Sequence, residues 1–203
     1  RDSKIYNALK EKDHDVIKIP MYLPLFENDD TINREVPVFY GAVSLYLKQN
    51  YKLFKAMPRW MEKIFDSKPM LNLASKMAGS TRSEGLEDMT ISMLLGEGGG
   101  QSKELERMTE WIAEHYKPDI IHISNALLLG LVHKLKEIPN VKIVCSLQDE
   151  DVWVDNMRES YRNKVWKLMG EKAKEVDFFI AVSEYFAQLS AERMGLDKDK
   201  IEV

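Results

Sequence analysis

Three short polar clusters stand directly after apolar runs: Ser124-Asn125, Gln148-Asp149-Glu150-Asp151 and Ser183-Glu184. Their hydroxyls, carboxamides and carboxylates suit the recognition of a ligand rich in polar groups. Gln148 can both donate to and accept from a hydroxyl, whereas an ionised Asp149 can only accept. Such groups can orient a reactant. Gln148 and Asp149 are therefore the candidate catalytic residues, and Ser124, Asn125, Glu150, Ser183 and Glu184 are candidate substrate-binding residues. Plainer roles stand beside these. Asp149 either faces the ligand or opens the turn that carries Trp153, and Ser183 either contacts ligand or caps the helix that follows, or both. His122 falls inside an apolar run and reads as a structural histidine. His115 and His133 fall in helical patterns with no carboxylate or cysteine at ligand spacing, so no metal site is expected.

The elements that would position these clusters alternate along the last third of the chain. Ile120, Ile121 and Ile123 form a β-branched run opened by Pro118, and Val141, Ile143, Val144 and Cys145 form a second one opened by Pro139 and Asn140. Leu127, Leu128, Leu131 and Leu135 lie between them at helical spacing. The pattern predicts a right-handed strand-helix-strand crossover between parallel strands. A third strand is predicted over Val176 to Val182. Helices are predicted over Gln101 to Tyr116, over Met157 to Lys174 with Tyr161, Val165, Leu168 and Met169 inward, and over Glu184 to Met194. Asp151 to Asp155 reads as a loop. Both faces of the first two strands are apolar, which predicts an α/β fold with a doubly wound, Rossmann-like parallel sheet and helices on both faces. The carboxyl edge of such a sheet is where ligands bind, and all three polar clusters fall on it.

A chain of 203 residues suits one α/β domain with a helical insertion, and its formal net charge of -4 argues against a dedicated nucleic-acid binder. The single Cys145 excludes a disulfide framework. No uncharged apolar run approaches the roughly 20 residues that a bilayer needs. The expected location is cytoplasmic, with peripheral contact at the inner membrane face left open.

At the amino end, Asp2 or Ser3 opens a helix to about Lys12, and Val16 to Ile19 reads as a strand closed by Pro20. The strand that should precede this helix is missing and the last strand stops short, so the domain, residues 1-203, is expected to be cut at both ends. A long irregular segment then leads to a short edge strand at Val36 to Tyr40. The insertion spans about 41-100. Within it, Lys48, Lys52, Lys55, Arg59 and Lys63 recur down one face of a helical pattern, as either a solvated basic face or a contact for an anionic membrane or acceptor. Gly96 to Gly100, interrupted by Glu97, reads as either a flexible linker or a phosphate cradle at a helix start.

Lys117-Pro-Asp-Ile-Ile-His-Ile, the strand into Ser146-Leu-Gln-Asp-Glu, and Val176-Asp-Phe-Phe-Ile-Ala-Val-Ser-Glu-Tyr with Gly195-Leu-Asp-Lys-Asp-Lys-Ile-Glu-Val resemble the amino-terminal half of family 4 glycosyltransferases, which have the GT-B fold. The resemblance covers Pro118 to Val203 well and Ser3 to Ile19 loosely. It implies one acceptor-binding half of a retaining glycosyltransferase. The co-substrate would be a nucleotide-sugar and the acceptor a glycan or lipid-linked glycan. The same protein's carboxyl-terminal domain would bind the donor, and neither cofactor nor metal would be needed. Many members place a histidine after the strand that ends near Leu147, where this chain has Gln148 followed by Asp149. A GT-B epimerase acting on a sugar nucleotide, or a non-catalytic carbohydrate-binding module, would share the same sheet and edge.

Overall fold

The structure, a computed structural model, describes residues 2–19, 21, 36–37, 39–40 and 86–203. The chain divides into two compact units, Arg1–Thr81 and Arg82–Val203. The basic stripe Lys48, Lys52, Lys55, Arg59 and Lys63 lies outside the described residues, as does most of the expected insertion.

In the first unit, helix α1 (Asp2–Lys10) is followed by a turn in which Asp13 takes a left-handed φ of 62°. The Lys18 ammonium donates to the Ser3 hydroxyl at 3.0 Å, bringing the chain back along α1. The strand expected at Val16 to Ile19 is not one: these residues pair with no strand among the described residues, and a β-branched run is not a strand without a partner ladder. Among the described residues, the expected edge strand at Val36 to Tyr40 shows one parallel bridge, between Met21 and Phe39, with Phe39 and Tyr40 fully buried.

The second unit is built on a four-stranded parallel sheet flanked by helices, in the order β1 (Ile120–Ile123), β2 (Lys142–Leu147), β3 (Phe178–Ala181) and β4 (Ile201–Glu202). The register sets Ile121 beside Ile143, Ile123 beside Cys145, and Leu147 beside Ala181. One face of the sheet carries Ile123, Ile143, Cys145, Leu147, Phe179 and Ala181, all buried. The opposite face is more accessible, with Ile120 61% exposed and Val144 and Phe178 half-buried. The expectation of apolar residues on alternating positions holds, but the two faces are not buried equally.

Helix α2 (Glu87–Leu94) packs on the segment after β1 and on a later helix. A tight turn at Gly96–Gly98 leads to α3 (Ser102–His115), which buries Leu105, Met108 and Ile112 and delivers the chain to β1. The glycine run is therefore an ordered turn and not a loose linker. Gly96 has a left-handed φ of 58°, and the Gly100 N–H donates to the Ser92 hydroxyl at 2.8 Å. Glycine is needed for close approach as well: a Cβ on Gly130 would come within 1.9 Å of the Met93 carbonyl oxygen at the end of α2.

The β1–β2 crossover departs from the expected helix. It is a 3₁₀ turn, Ala126–Leu131, running into a single α-turn, α4 (Val132–Leu135). Ala126, Leu129, Val132 and Leu135 are buried, and their spacing is the three-residue period of a 3₁₀ helix. Leu127 and Leu128, expected inward on a 3.6-residue period, are only half-buried. After β2, residues expected to form a loop form helix α5 (Glu150–Asp155), followed by α6 (Glu159–Ala173) and, after β3, α7 (Glu184–Met194). Val165, Trp166, Met169 and Ala173 are the buried stripe of α6, while Tyr161 and Leu168 sit at its margin.

Candidate functional site

The polar clusters after β1 and β2 meet at the carboxyl edge of the sheet. Asn125 is extended (φ -162°, ψ 141°), and its Oδ1 accepts from the Leu127 N–H at 2.7 Å, which starts the 3₁₀ turn. Its Nδ2 donates across to the Gln148 carbonyl at 3.5 Å. In return the Gln148 Nε2 donates to the Ser124 carbonyl at 2.6 Å. Each carboxamide thus holds the backbone of the neighbouring loop.

Glu150 completes this link from beneath. Only 1% exposed, it accepts the Ala126 N–H on Oε1 at 2.8 Å and the Gln148 N–H on Oε2 at 2.7 Å. Burial, reinforced by the charge of Asp149, raises its pKa to about 7, although N–H groups of Ala126, Glu150 and Gln148 favour the ionised form. Glu150 was expected to bind substrate, but its carboxylate is turned inward and engaged by backbone amides. A left-handed Asp149 (φ 58°) reverses the chain direction just before it, which aims the next side chain back toward β1.

Asp149 is left on the outside. It occupies the N-cap position of α5 and its left-handed backbone opens the turn, yet its side chain makes no capping bond, which leaves the carboxylate itself uncommitted to the cap. Its carboxylate is exposed. After β3, Ser183 does cap: its hydroxyl accepts the Phe186 N–H at 3.2 Å at the start of α7. Glu184 beside it is exposed. The structure therefore joins Ser124, Asn125, Gln148 and Glu150 into one bonded unit, and presents Asp149 and Glu184 to solvent on adjacent strand ends.

Helix α5 is held at several points. The Asp155 carboxylate accepts from the Trp166 Nε1 at 3.0 Å and from both terminal nitrogens of Arg193 at 3.2 and 3.1 Å. Trp153 Nε1 donates to the Thr90 hydroxyl at 3.3 Å. The buried Glu87 carboxylate accepts from the Arg158 N–H and guanidinium just before α6, at 3.2 Å from the backbone nitrogen and 2.8 Å from Nη2. The loop carrying Asp149 is thus anchored by helices on both of its sides.

Three exposed apolar side chains on this edge were not singled out by sequence: Val152 on α5, and Val182 and Tyr185 after β3, the last 73% exposed. A helical wheel started at Ser183 reveals Tyr185, because Phe186, Ser190 and Met194 take the buried stripe and leave it outside. His122 is hydrogen-bonded through Nε2 to the Ser146 hydroxyl at 2.8 Å, in keeping with a structural role. His133 lies between Glu175 and Glu97, at 2.8 and 3.8 Å, carboxylates remote in sequence. Among the described residues no three His, Cys, Asp or Glu side chains converge as a metal site would require.

The sequence profile of Glycosyltransferase Family 4 matches residues 96–203, just over half of the chain. The chain belongs to this glycosyltransferase family. No curated protein and no solved structure shows significant similarity to it. The matched segment begins at the glycine turn before α3 and includes all four strands and the polar clusters at Ser124-Asn125, Gln148 to Asp151 and Ser183-Glu184, so in this family 4 domain the polar carboxyl edge lies within the family's own segment. Among the described residues no helix is long and apolar enough to cross a membrane.

Proposed function

We propose that this chain is the acceptor-binding domain of a retaining glycosyltransferase, which moves a sugar from a nucleotide-sugar to a glycan or lipid-linked acceptor. The observation that carries this reading is the exposed Asp149 carboxylate, held at the carboxyl edge of a family 4 parallel sheet by a loop bonded to its neighbour on β1. An exposed carboxylate on an ordered loop accepts a hydrogen bond from an acceptor hydroxyl and fixes its direction of attack. Asn125 and Gln148 hold the loops, Asp149 and Glu184 face the acceptor, and Tyr185 and Val182 offer apolar area to a sugar face or lipid portion. A second domain of the full-length protein would bind the nucleotide and stabilise the departing phosphate with helix N-termini and basic groups. No metal enters this scheme. In the cell the enzyme would work in the cytoplasm, with Lys48, Lys52, Lys55, Arg59 and Lys63 meeting anionic lipid at the inner membrane face.

The test is transfer by the full-length protein from a panel of UDP-, GDP- and ADP-sugars to glycan and lipid-linked acceptors, read by mass spectrometry, with the anomeric configuration of the product read by NMR. A product that keeps the donor's configuration supports the proposal. Inversion would overturn the retaining mechanism, and interconversion of the sugar nucleotide without acceptor would replace transfer with epimerisation.

A further inference from the structure

We propose that Glu150 is the positioning residue of this edge: its ionised carboxylate locks the loop after β1 to the loop after β2, and its protonation releases the lock. The proposal deepens the acceptor-site reading above and rests on it for its functional consequence.

The geometry is specific. The two carboxylate oxygens accept from N–H groups on different loops, Ala126 at 2.8 Å and Gln148 at 2.7 Å, and the whole residue is buried. An ionised carboxylate is acceptor-only and serves both amides at once. Once protonated, one oxygen carries a hydrogen and meets an N–H donor head-on, so one of the two bonds is lost. Among the described residues the carboxamide bonds of Asn125 and Gln148, the first at 3.5 Å, then still join the loops. Asp149, which lies between Gln148 and Glu150, would lose its fixed direction.

The surroundings make this ionisation delicate. Among the described residues no Lys or Arg forms an ion pair with Glu150; the ionisable group acting on it is Asp149 on its own loop, while the nearby Cys145 thiol on β2 is itself pushed well up by burial and then by the Glu150 charge. Burial outweighs the bonds to backbone amides, which places the transition at about 7, inside the range where a cytoplasmic protein operates. A buried acid that needs its charge to make its bonds, with no cation among the described residues to hold that charge, is a poor structural choice and a serviceable control on loop geometry.

The experiment follows the backbone amide resonances of Ala126 and Gln148 in the ¹⁵N-labelled full-length protein from pH 5 to 9. Both are expected to move together with a shared midpoint of about 7. In Glu150→Gln that shared transition disappears from both, and in Glu150→Asp, one methylene shorter, at most one amide still reports it. Amides that do not titrate in the native protein, or that titrate unchanged in Glu150→Gln, overturn the proposal, and the native titration needs no variant to fold. Transfer rate is measured over the same range with whichever panel donor is turned over, and should fall about tenfold per pH unit below the midpoint in the native protein but not in Glu150→Gln. Shared titration without any transfer supports the lock and defeats the glycosyltransfer assignment. Transfer with silent amides does the opposite.

Discussion

Asp177 and Glu150 each accept a backbone N–H from a neighbouring segment, one at the amino end of the sheet and one at its carboxyl end. Asp177 stands just before β3, where its Oδ2 accepts the Ile143 N–H at 2.7 Å while its own N–H donates to the Ile143 carbonyl at 3.0 Å. Lys136 bonds the same carboxylate and Lys142 lies 3.5 Å away. Burial alone would raise the Asp177 pKa, but Lys136, the Ile143 amide and Lys142 together lower it. Glu150 has the same kind of bond twice over and the opposite shift, because its partners are dipoles and its charged neighbour is an aspartate. The amino edge balances its half-buried charge with cations. Among the described residues the carboxyl edge does not, and an edge proposed to meet a ligand is where local stability rules are expected to be broken.

The largest difference should appear on truncation. At pH 5, where protonated Glu150 keeps one of its two amide bonds, Glu150→Ala removes that bond and opens a void at a buried site, and should cost about 2 to 4 kcal/mol. Asp177→Ala removes one amide partner in a setting that solvent reaches, and should cost about 1 to 2 kcal/mol at pH 7. Urea unfolding of both variants checks this, and equal losses would erase the distinction between the two edges.

Opposite pKa directions require opposite pH slopes. A raised pKa means that Glu150 contributes stability fully present below its unfolded value of 4.5, which drains away as pH climbs to about 7. At about 1.36 kcal/mol per pKa unit, the loss approaches about 3 kcal/mol above neutrality. Asp177, with its pKa lowered from 3.8, contributes stability above that value that is lost as pH falls below it. The measurement is the stability difference between native protein and Glu150→Gln, and between native protein and Asp177→Asn, from pH 2 to 9. Two differences that slope the same way would show that the cations near Asp177 are not what separates the edges.

This contrast also marks what could be read from sequence. The strands β1 to β3 were legible within about two residues at their ends because β-branched runs are bounded by Pro118, Pro139-Asn140 and Ser183, and the ladder then fixes which residues share a face. The 3₁₀ turn at Ala126–Leu131 was not, since its leucines fit a 3.6-residue period almost as well as a three-residue one. What decides between them is Gly130 lying against α2, a contact from far along the chain. Helix α5 is too short for periodicity to show, and its inward Glu150 depends on a single left-handed residue, Asp149. Polar residues at the carboxyl edge were legible as a group. Their division into those that bond each other and those that face out was not, because it is set by backbone direction and not by residue type.

Gln148 illustrates the division at a smaller scale. A side chain facing only ligand would cost little to remove, but Nε2 of Gln148 holds the Ser124 carbonyl at 2.6 Å. Gln148→Ala should therefore cost about 1 kcal/mol. It should also loosen the β1 loop, seen as faster amide hydrogen exchange at Asn125 and Ala126. Exchange unchanged there would return Gln148 to a purely ligand-facing role.

The smallest effect on stability should come from Asp149, and it tests the same electrostatics from outside. Its carboxylate makes no capping bond, and asparagine tolerates the left-handed backbone as well as aspartate does, so Asp149→Asn should change stability by no more than about 0.5 kcal/mol. Asp149→Ala should cost about 1 kcal/mol through backbone strain alone. The charge of Asp149 helps to raise the Glu150 pKa, so its neutralisation should move the shared transition of the Ala126 and Gln148 amides to lower pH while leaving the bonds in place. If Asp149 also orients the acceptor, Asp149→Asn should slow transfer by tens- to a thousandfold, on the order of 2 to 4 kcal/mol, at a pH where Glu150 is fully ionised in both proteins. A slower rate at that pH separates direct contact with the acceptor from an influence through Glu150. A rate unchanged at that pH, with a gain only at lower pH, would leave Asp149 with an electrostatic part alone.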